Sequence, residues 1–204
     1  MVYTLAQGEF LARLARKVIK TYLTENIILE PPADTPEIFF QKSGVFVTLK
    51  KANRLRGCIG RPYPNQKLID AIIASSIDSA TRDPRFPRVT EDELESLTIE
   101  ITILTPPEKI IVSKPQEYLK KIEIGRDGLI ITQGRRGGLL LPQVPVDWNW
   151  DVSEFLEQTS LKAGLRPDAW LDKETEIYKF QGVIFQEKNP GGEIVPKEIQ
   201  QSSC

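Results

Sequence analysis

Histidine is absent from all 204 residues. That absence removes the Ser-His and Cys-His nucleophile pairs, the imidazole-bearing zinc sets and the commonest general base near neutral pH. Any catalysis must draw on Cys, Asp, Glu, Lys, Arg or Tyr, or on a bound group; the sequence names no cofactor and offers no metal-ligand set. There are two cysteines, Cys58 and Cys204, too few for the disulfide framework that holds small secreted domains. No apolar run reaches the roughly 18 residues of a membrane span, and the first six residues lack the charged and apolar segments of a secretory leader. The expectation is a cytoplasmic protein that does not enter a membrane. Repeats and low-complexity segments are also missing.

What is present is an ordinary globular composition, 40% hydrophobic and 27% charged, in a chain long enough for one full core and a small second lobe. The net charge of −1 conceals an asymmetry. Residues 41–90 hold ten cations against three anions, a net +7, whereas residues 91–204 net −7. A basic centre favours an anionic partner, either a small molecule such as a nucleotide or a nucleic acid; mutual pairing of the two segments is the alternative. Aromatic residues near this centre are few, Tyr63 and Phe86, which is thin for a single-strand stacking platform.

Periodicity sets out an α+β chain. Leu11, Leu14, Ala15, Val18 and Tyr22 recur at helical spacing within 5–24, giving an amphipathic helix. Alternation predicts strands over 44–50 and 55–60, joined by a turn at 51–54. Asn65 is the expected N-cap of a largely apolar helix from about 66 to 81, which delivers the arginine loop Arg82-Asp83-Pro84-Arg85-Phe86-Pro87-Arg88. Thr90 opens a short helix, and Leu97, Ile99, Ile101 and Ile103 alternate with Glu100 on the other side. Pro106-Pro107 marks the expected lobe boundary. Beyond it, runs at 110–112, 122–124, 129–131 and 139–141 read as a meander, with hairpin turns at Gly125–Gly128 and Gly134–Gly138. Asp151 caps a further helix ending at Gly164, with Trp148, Trp150 and Trp170 packed nearby in the large lobe. A last strand is expected over 176–186. The expected domains are thus 1–105 with 147–204 as a larger antiparallel sheet flanked by helices, 106–146 as a smaller inserted antiparallel β lobe, and 188–204 as a mobile tail.

The chemistry concentrates at Leu55-Arg56-Gly57-Cys58-Ile59-Gly60. Period-2 alternation places Arg56 and Cys58 on one side. Beside arginine, Cys58 reads as a thiolate nucleophile or redox thiol; a free cysteine is more often a buried filler, a reading the flanking glycines weaken. Gly57 and Gly60 suit a strand that a ligand or another backbone approaches closely. Arg82 and Arg85 form a fork for phosphate or carboxylate, with Asp83 as orienting partner or general base, or the three make a salt-bridged loop. Glu100 is a candidate acid/base carboxylate or simply the wet side of its strand. The glycines at 134–138 match no complete phosphate-binding arrangement.

The Leu55–Gly60 sequence resembles the LRGCIG signature of the AMMECR1 domain family. Further landmarks follow in order: Asp83-Pro84-Arg85-Phe86, the Glu100 strand before Thr105-Pro106-Pro107, Gly128-Leu129-Ile130, Leu141-Pro142-Gln143-Val144, and Lys162-Ala163-Gly164-Leu165 before Trp170. The resemblance covers about residues 5–187. It implies a RAGNYA-like fold with a cleft between two lobes, and systems shared with Memo-family and radical S-adenosylmethionine proteins as partners. It also implies an enzyme of unassigned reaction. The basic centre and the shared side of Arg56 and Cys58, not the resemblance, name the residues: Cys58, Asp83 and Glu100 as catalytic and Arg56, Gly57, Gly60, Arg82 and Arg85 as binding an anionic substrate. The other expectation is a non-catalytic adaptor that binds nucleic acid or protein through the same basic face.

Overall fold

The computed structural model describes residues 3–197. In chain order the elements are α1 (Leu5–Glu25), β1 (Gly44–Lys51), β2 (Arg54–Arg61), α2 (Leu68–Thr81), α3 (Glu91–Leu94), β3 (Leu97–Leu104), β4 (Glu108–Lys109) and α4 (Tyr118–Lys121). They continue with β5 (Gly128–Gln133), β6 (Arg136–Leu140), α5 (Gln143–Asp147), α6 (Val152–Lys162), β7 (Glu176–Phe180), β8 (Gly182–Glu187) and β9 (Ile194–Lys197). The fold is mixed α+β, with two antiparallel sheets ordered β2-β1-β3-β8-β9 and β4-β7-β5-β6.

Two compact units follow from the contacts, one up to Leu104 with Val183–Lys197, the other Thr105–Gly182. In the first, α1 starts at a capping box formed by Thr4 and Gln7. The hairpin between β1 and β2 turns on Ala52 and Asn53, both at positive φ (48° and 63°), as a two-residue turn of matching twist requires. Val45, Val47, Leu49, Ile99, Ile101 and Ile103 are fully buried in one core with α1 and α2, so both helices cover the same face of the sheet. Alternation sends the intervening residues to the other face.

Helix α2 begins at Leu68, and Asn65 does not cap it. The Leu68 N–H donates instead to the Gln41 carbonyl (2.9 Å), and Lys67 bridges Lys42, so the preceding residues are tied down in extended form.

The second unit is larger than the expected 106–146 insertion. The run at 176–186 is two strands, not one: β7 pairs with β4 and β5, whereas β8 pairs with β9. Residues 147–182 therefore remain with the second sheet, where Phe155 and Leu156 of α6 share a core with Leu129, Ile131 and Ile177. Trp148 and Trp150 stack at 6.1 Å in this unit, and Trp148 is 70% exposed rather than packed. Residues 110–112 and 122–124 form no strand. Gly134 (φ 60°) does turn the β5–β6 hairpin. Gly125–Gly128 instead leads from α4 into β5, closed by Asp127 accepting the Glu123 N–H (3.1 Å). Residues 188–197, expected as mobile tail, make a turn and β9; the remainder of that tail lies outside the described residues.

Candidate functional site

On the face of the first sheet away from the helices, three side chains line up across three strands. Thr48 of β1 stands opposite Cys58 of β2 and Glu100 of β3. The Cys58 thiol and Thr48 hydroxyl are 3.2 Å apart. Thr48 and Glu100 are buried, Cys58 half-buried. Glu100 accepts from Lys50 (2.7 Å) and Lys197 (3.0 Å).

Strand β2 is a sheet edge, and the backbone of Cys58 points outward from it. Its N–H donates to Asp83 Oδ2 (2.8 Å), and its carbonyl accepts from an Arg85 Nη (3.3 Å). Arg85 meanwhile grips Asp83 with Nε and Nη2 (2.9 and 2.7 Å). The Asp83–Arg85 pair thus presents one acceptor and one donor to the edge, as a neighbouring strand would. An open edge is a template for pairing with other chains, and this pair closes it at Cys58.

The glycines of the motif answer to the protein's own packing. A Cβ on Gly57 would collide with the backbone carbonyl of Ser79 in α2, and one on Gly60 with the Phe46 ring and the Val45 carbonyl. The Ser79 hydroxyl accepts the Ile59 N–H (2.9 Å) and donates to the Val47 carbonyl (2.7 Å). A helix side chain therefore stands within the β1–β2 ladder, which only a close helix permits.

Two arginines go elsewhere. Arg56 forks onto Glu93 of α3 with Nε and Nη2 (2.9 and 2.8 Å) and donates to the Pro87 carbonyl (2.9 Å), so it serves Glu93 and not the thiol. Arg82 bonds Asp78 (2.9 Å) one turn back on α2 and is largely exposed.

These surroundings set the charges. Burial pushes the Cys58 thiol up, and its Thr48 hydrogen bond and the Arg85 charge do not offset this; the thiolate expected from a neighbouring arginine is replaced by a protonated thiol. The Arg85 guanidinium holds Asp83 well below the usual carboxylate range, helped by the N–H groups of Cys58 and Arg85. Burial opposes ionisation of Glu100, but Lys50 and Lys197 outweigh it and its pKa falls. Glu93 is lowered chiefly by Arg56. The structure thus brings together Cys58, Asp83, Arg85 and Glu100, and places Arg56 and Arg82 in other networks. Thr48, Ser79, Lys50 and Lys197 were not singled out from the sequence. For Thr48 a signal existed, since it alternates with the core residues Val47 and Leu49; the inserted hydroxyl of Ser79 has none. Among the described residues no group of three or more Cys, Asp and Glu is arranged to hold a metal ion, and no helix is long and apolar enough to cross a membrane.

A two-unit α+β chain whose LRGCIG strand is closed by an Asp-Pro-Arg-Phe loop defines the class. The AMMECR1 family model matches residues 12–185, and the chain belongs to that family. A protein of Thermococcus gammatolerans is 51% identical over 197 residues, covering 94% of this chain and 96% of its own. Protein MJ0810 of Methanocaldococcus jannaschii is 51% identical over 199 residues, covering 96% and 98%. The crystal structure of the uncharacterized protein PH0010 from Pyrococcus horikoshii is similar at a TM-score of 0.88 and 50% identity, over 96% of this chain and 98% of that one.

Proposed function

We propose that the protein is an enzyme acting on an anionic nucleotide-like or small-metabolite substrate, laid over the row of Cys58, Thr48 and Glu100. The observation that carries this reading is the alignment of a half-exposed thiol, a hydroxyl and a carboxylate across three adjacent strands, beside a guanidinium that is 53% exposed. Arg85 supplies the charge that attracts the substrate. Cys58 is the catalytic residue, acting as a neutral thiol that donates a proton or hydrogen bond. Asp83 is a positioning residue, since both its oxygens are engaged by Cys58 and Arg85. Glu100, held by two lysines, fixes the far end of the row.

The test is a thermal-shift screen of nucleotides and anionic metabolites, followed by turnover assays on whatever stabilises the protein. Cys58→Ala is expected to bind and not turn over, and Arg85→Ala to lose binding. Iodoacetamide labelling in a Cys204→Ser background reads the thiol directly: slow reaction at pH 7, rising with pH toward and beyond about 8.5, is expected. Rapid labelling at pH 6 would sink the neutral-thiol role.

The engagement of Arg56, Asp83 and Glu100 in ion pairs favours a second reading, a non-catalytic module that binds nucleic acid or protein. Binding to RNA or DNA that weakens steeply with salt, together with Cys58→Ala behaving as wild type, would select it.

A further inference from the structure

Away from the Cys58 row, a groove of about 310 Å³ lies between the end of α1, the segment Ile28–Pro31 and α2. Its α2 wall is the stripe Asp70, Ile73, Ala74, Ile77 and Asp78, the i, i+3, i+4, i+7, i+8 pattern of one helix face. Ile73 and Ile77 form a buried apolar floor, and Ile28 flanks it with 64% of its surface exposed.

The two ends of this stripe differ in charge. At the C-terminal end Arg61 and Arg82 both bond the single carboxylate of Asp78 (2.8 and 2.9 Å), and Arg61 also donates to Ser75 (2.8 Å). Two guanidiniums on one carboxylate leave a surplus positive charge. Arg82 is 67% exposed, and one of its Nη groups has no hydrogen-bond partner among the described residues. At the other end Asp70, eight residues earlier and so about 12 Å away along the helix, contributes a carboxylate, and Glu30 adds another to the lining.

We infer that this groove binds a small amphipathic monoanion: an apolar chain on Ile73, Ile77 and Ile28, and one carboxylate on the open Nη of Arg82, beside the charge of Arg61. Size fits the range of small-molecule sites, and burying the chain supplies the main gain. Charge sets polarity and valence. The head seats at the arginine end, and a second anionic group on the tail would face Asp70 and Glu30, so dianions with charges at both ends are rejected. The inference stands apart from the reading of the Cys58 row.

Isothermal titration of the full chain with decanoate, decanol and decylammonium, each below its micelle concentration, tests it. Decanoate is expected to bind with one site per chain and most tightly of the three. Arg82→Glu should weaken decanoate about tenfold, one charge-assisted contact's worth, and leave decanol unchanged. Ala74→Trp, which fills the groove, should remove binding of both, with thermal unfolding checking that the variant is folded. If it is not, Arg82→Glu alone decides. Equal affinity for decanoate and decanol, preference for decylammonium, indifference to Arg82→Glu, or no binding would each overturn the inference. So would displacement of decanoate only by an amphipathic peptide and by no small acid, which would make the groove a protein-docking surface.

Discussion

Arg82 and Arg85 stand three residues apart in one loop, yet the protein uses them in opposite ways. Arg85 closes on a carboxylate that is buried and itself bonded to the backbone of Cys58. Arg82 shares the carboxylate of Asp78 with Arg61 and keeps donors open to solvent at the mouth of an apolar groove. The difference lies in the partner: a buried carboxylate must be fully satisfied and so fixes whatever satisfies it, while an exposed i,i+4 pair fixes little. One end of the loop is locked in place by its carboxylate and the other is not. Substitutions that separate those roles give graded effects.

The largest is expected at Asp83. Asp83→Ala strips the acceptor from the Cys58 N–H and the anchor from Arg85, leaving the edge of β2 unpaired at that point. A loss of about 2–3 kcal/mol is expected, read by urea unfolding at pH 7. Asp83 has its pKa lowered in the folded state, so its contribution is fully present above the ordinary carboxylate value and is lost as pH falls from about 4 downward. Wild type and Asp83→Ala should therefore converge in stability as the solution is acidified. A constant gap down to pH 2 would mean that the carboxylate's charge plays no part.

Next comes Gly57. A Cβ there meets the Ser79 backbone carbonyl, which cannot rotate away as a side chain can, so Gly57→Ala forces α2 and β2 apart at a cost of about 1–3 kcal/mol. Because the Ser79 hydroxyl accepts the Ile59 N–H while donating to the Val47 carbonyl, the same change should expose the Ile59 amide to hydrogen exchange before others in the sheet. Unchanged protection at Ile59 would show that the helix does not brace the strand.

How far the residues themselves announced this arrangement varies with the range of the interaction. Alternation in 44–50 and 97–103 is local, and it carried the strands and their buried faces. The thiol's place on the opposite face from Ile59 followed from the same rule. The break at Gln181 was hidden because 176–186 alternates without a proline or turn cluster; only the competition between two sheets divides it. Arg56 and Cys58 do share a side, yet Glu93, 37 residues later in the chain, takes the guanidinium, a pairing that strand periodicity cannot foresee. Gly57 was legible as a close approach, though what approaches is the backbone of α2. The split between Arg82 and Arg85 depends on where α2 ends: Arg82 is its C-cap, with its N–H on the Asp78 carbonyl, so its side chain follows the helix surface, whereas Arg85 lies beyond Pro84 and follows the loop.

That placement leads to the smallest expected effect. Arg82→Ala removes one of two cations from Asp78, but Arg61 still holds the carboxylate (2.8 Å) and the lost guanidinium was mostly hydrated. Stability should change by less than about 0.5 kcal/mol, and the labelling rate of Cys58 should not change. Arg85→Ala leaves Asp83 buried without its guanidinium, so it should cost more and alter that rate. If the two alanine variants were equally destabilised, the loop would be one network and the groove would have no free cation to offer. If only Arg85→Ala is costly, Arg82 has no structural duty at this site, and its exposed charge beside an apolar groove is left for a ligand.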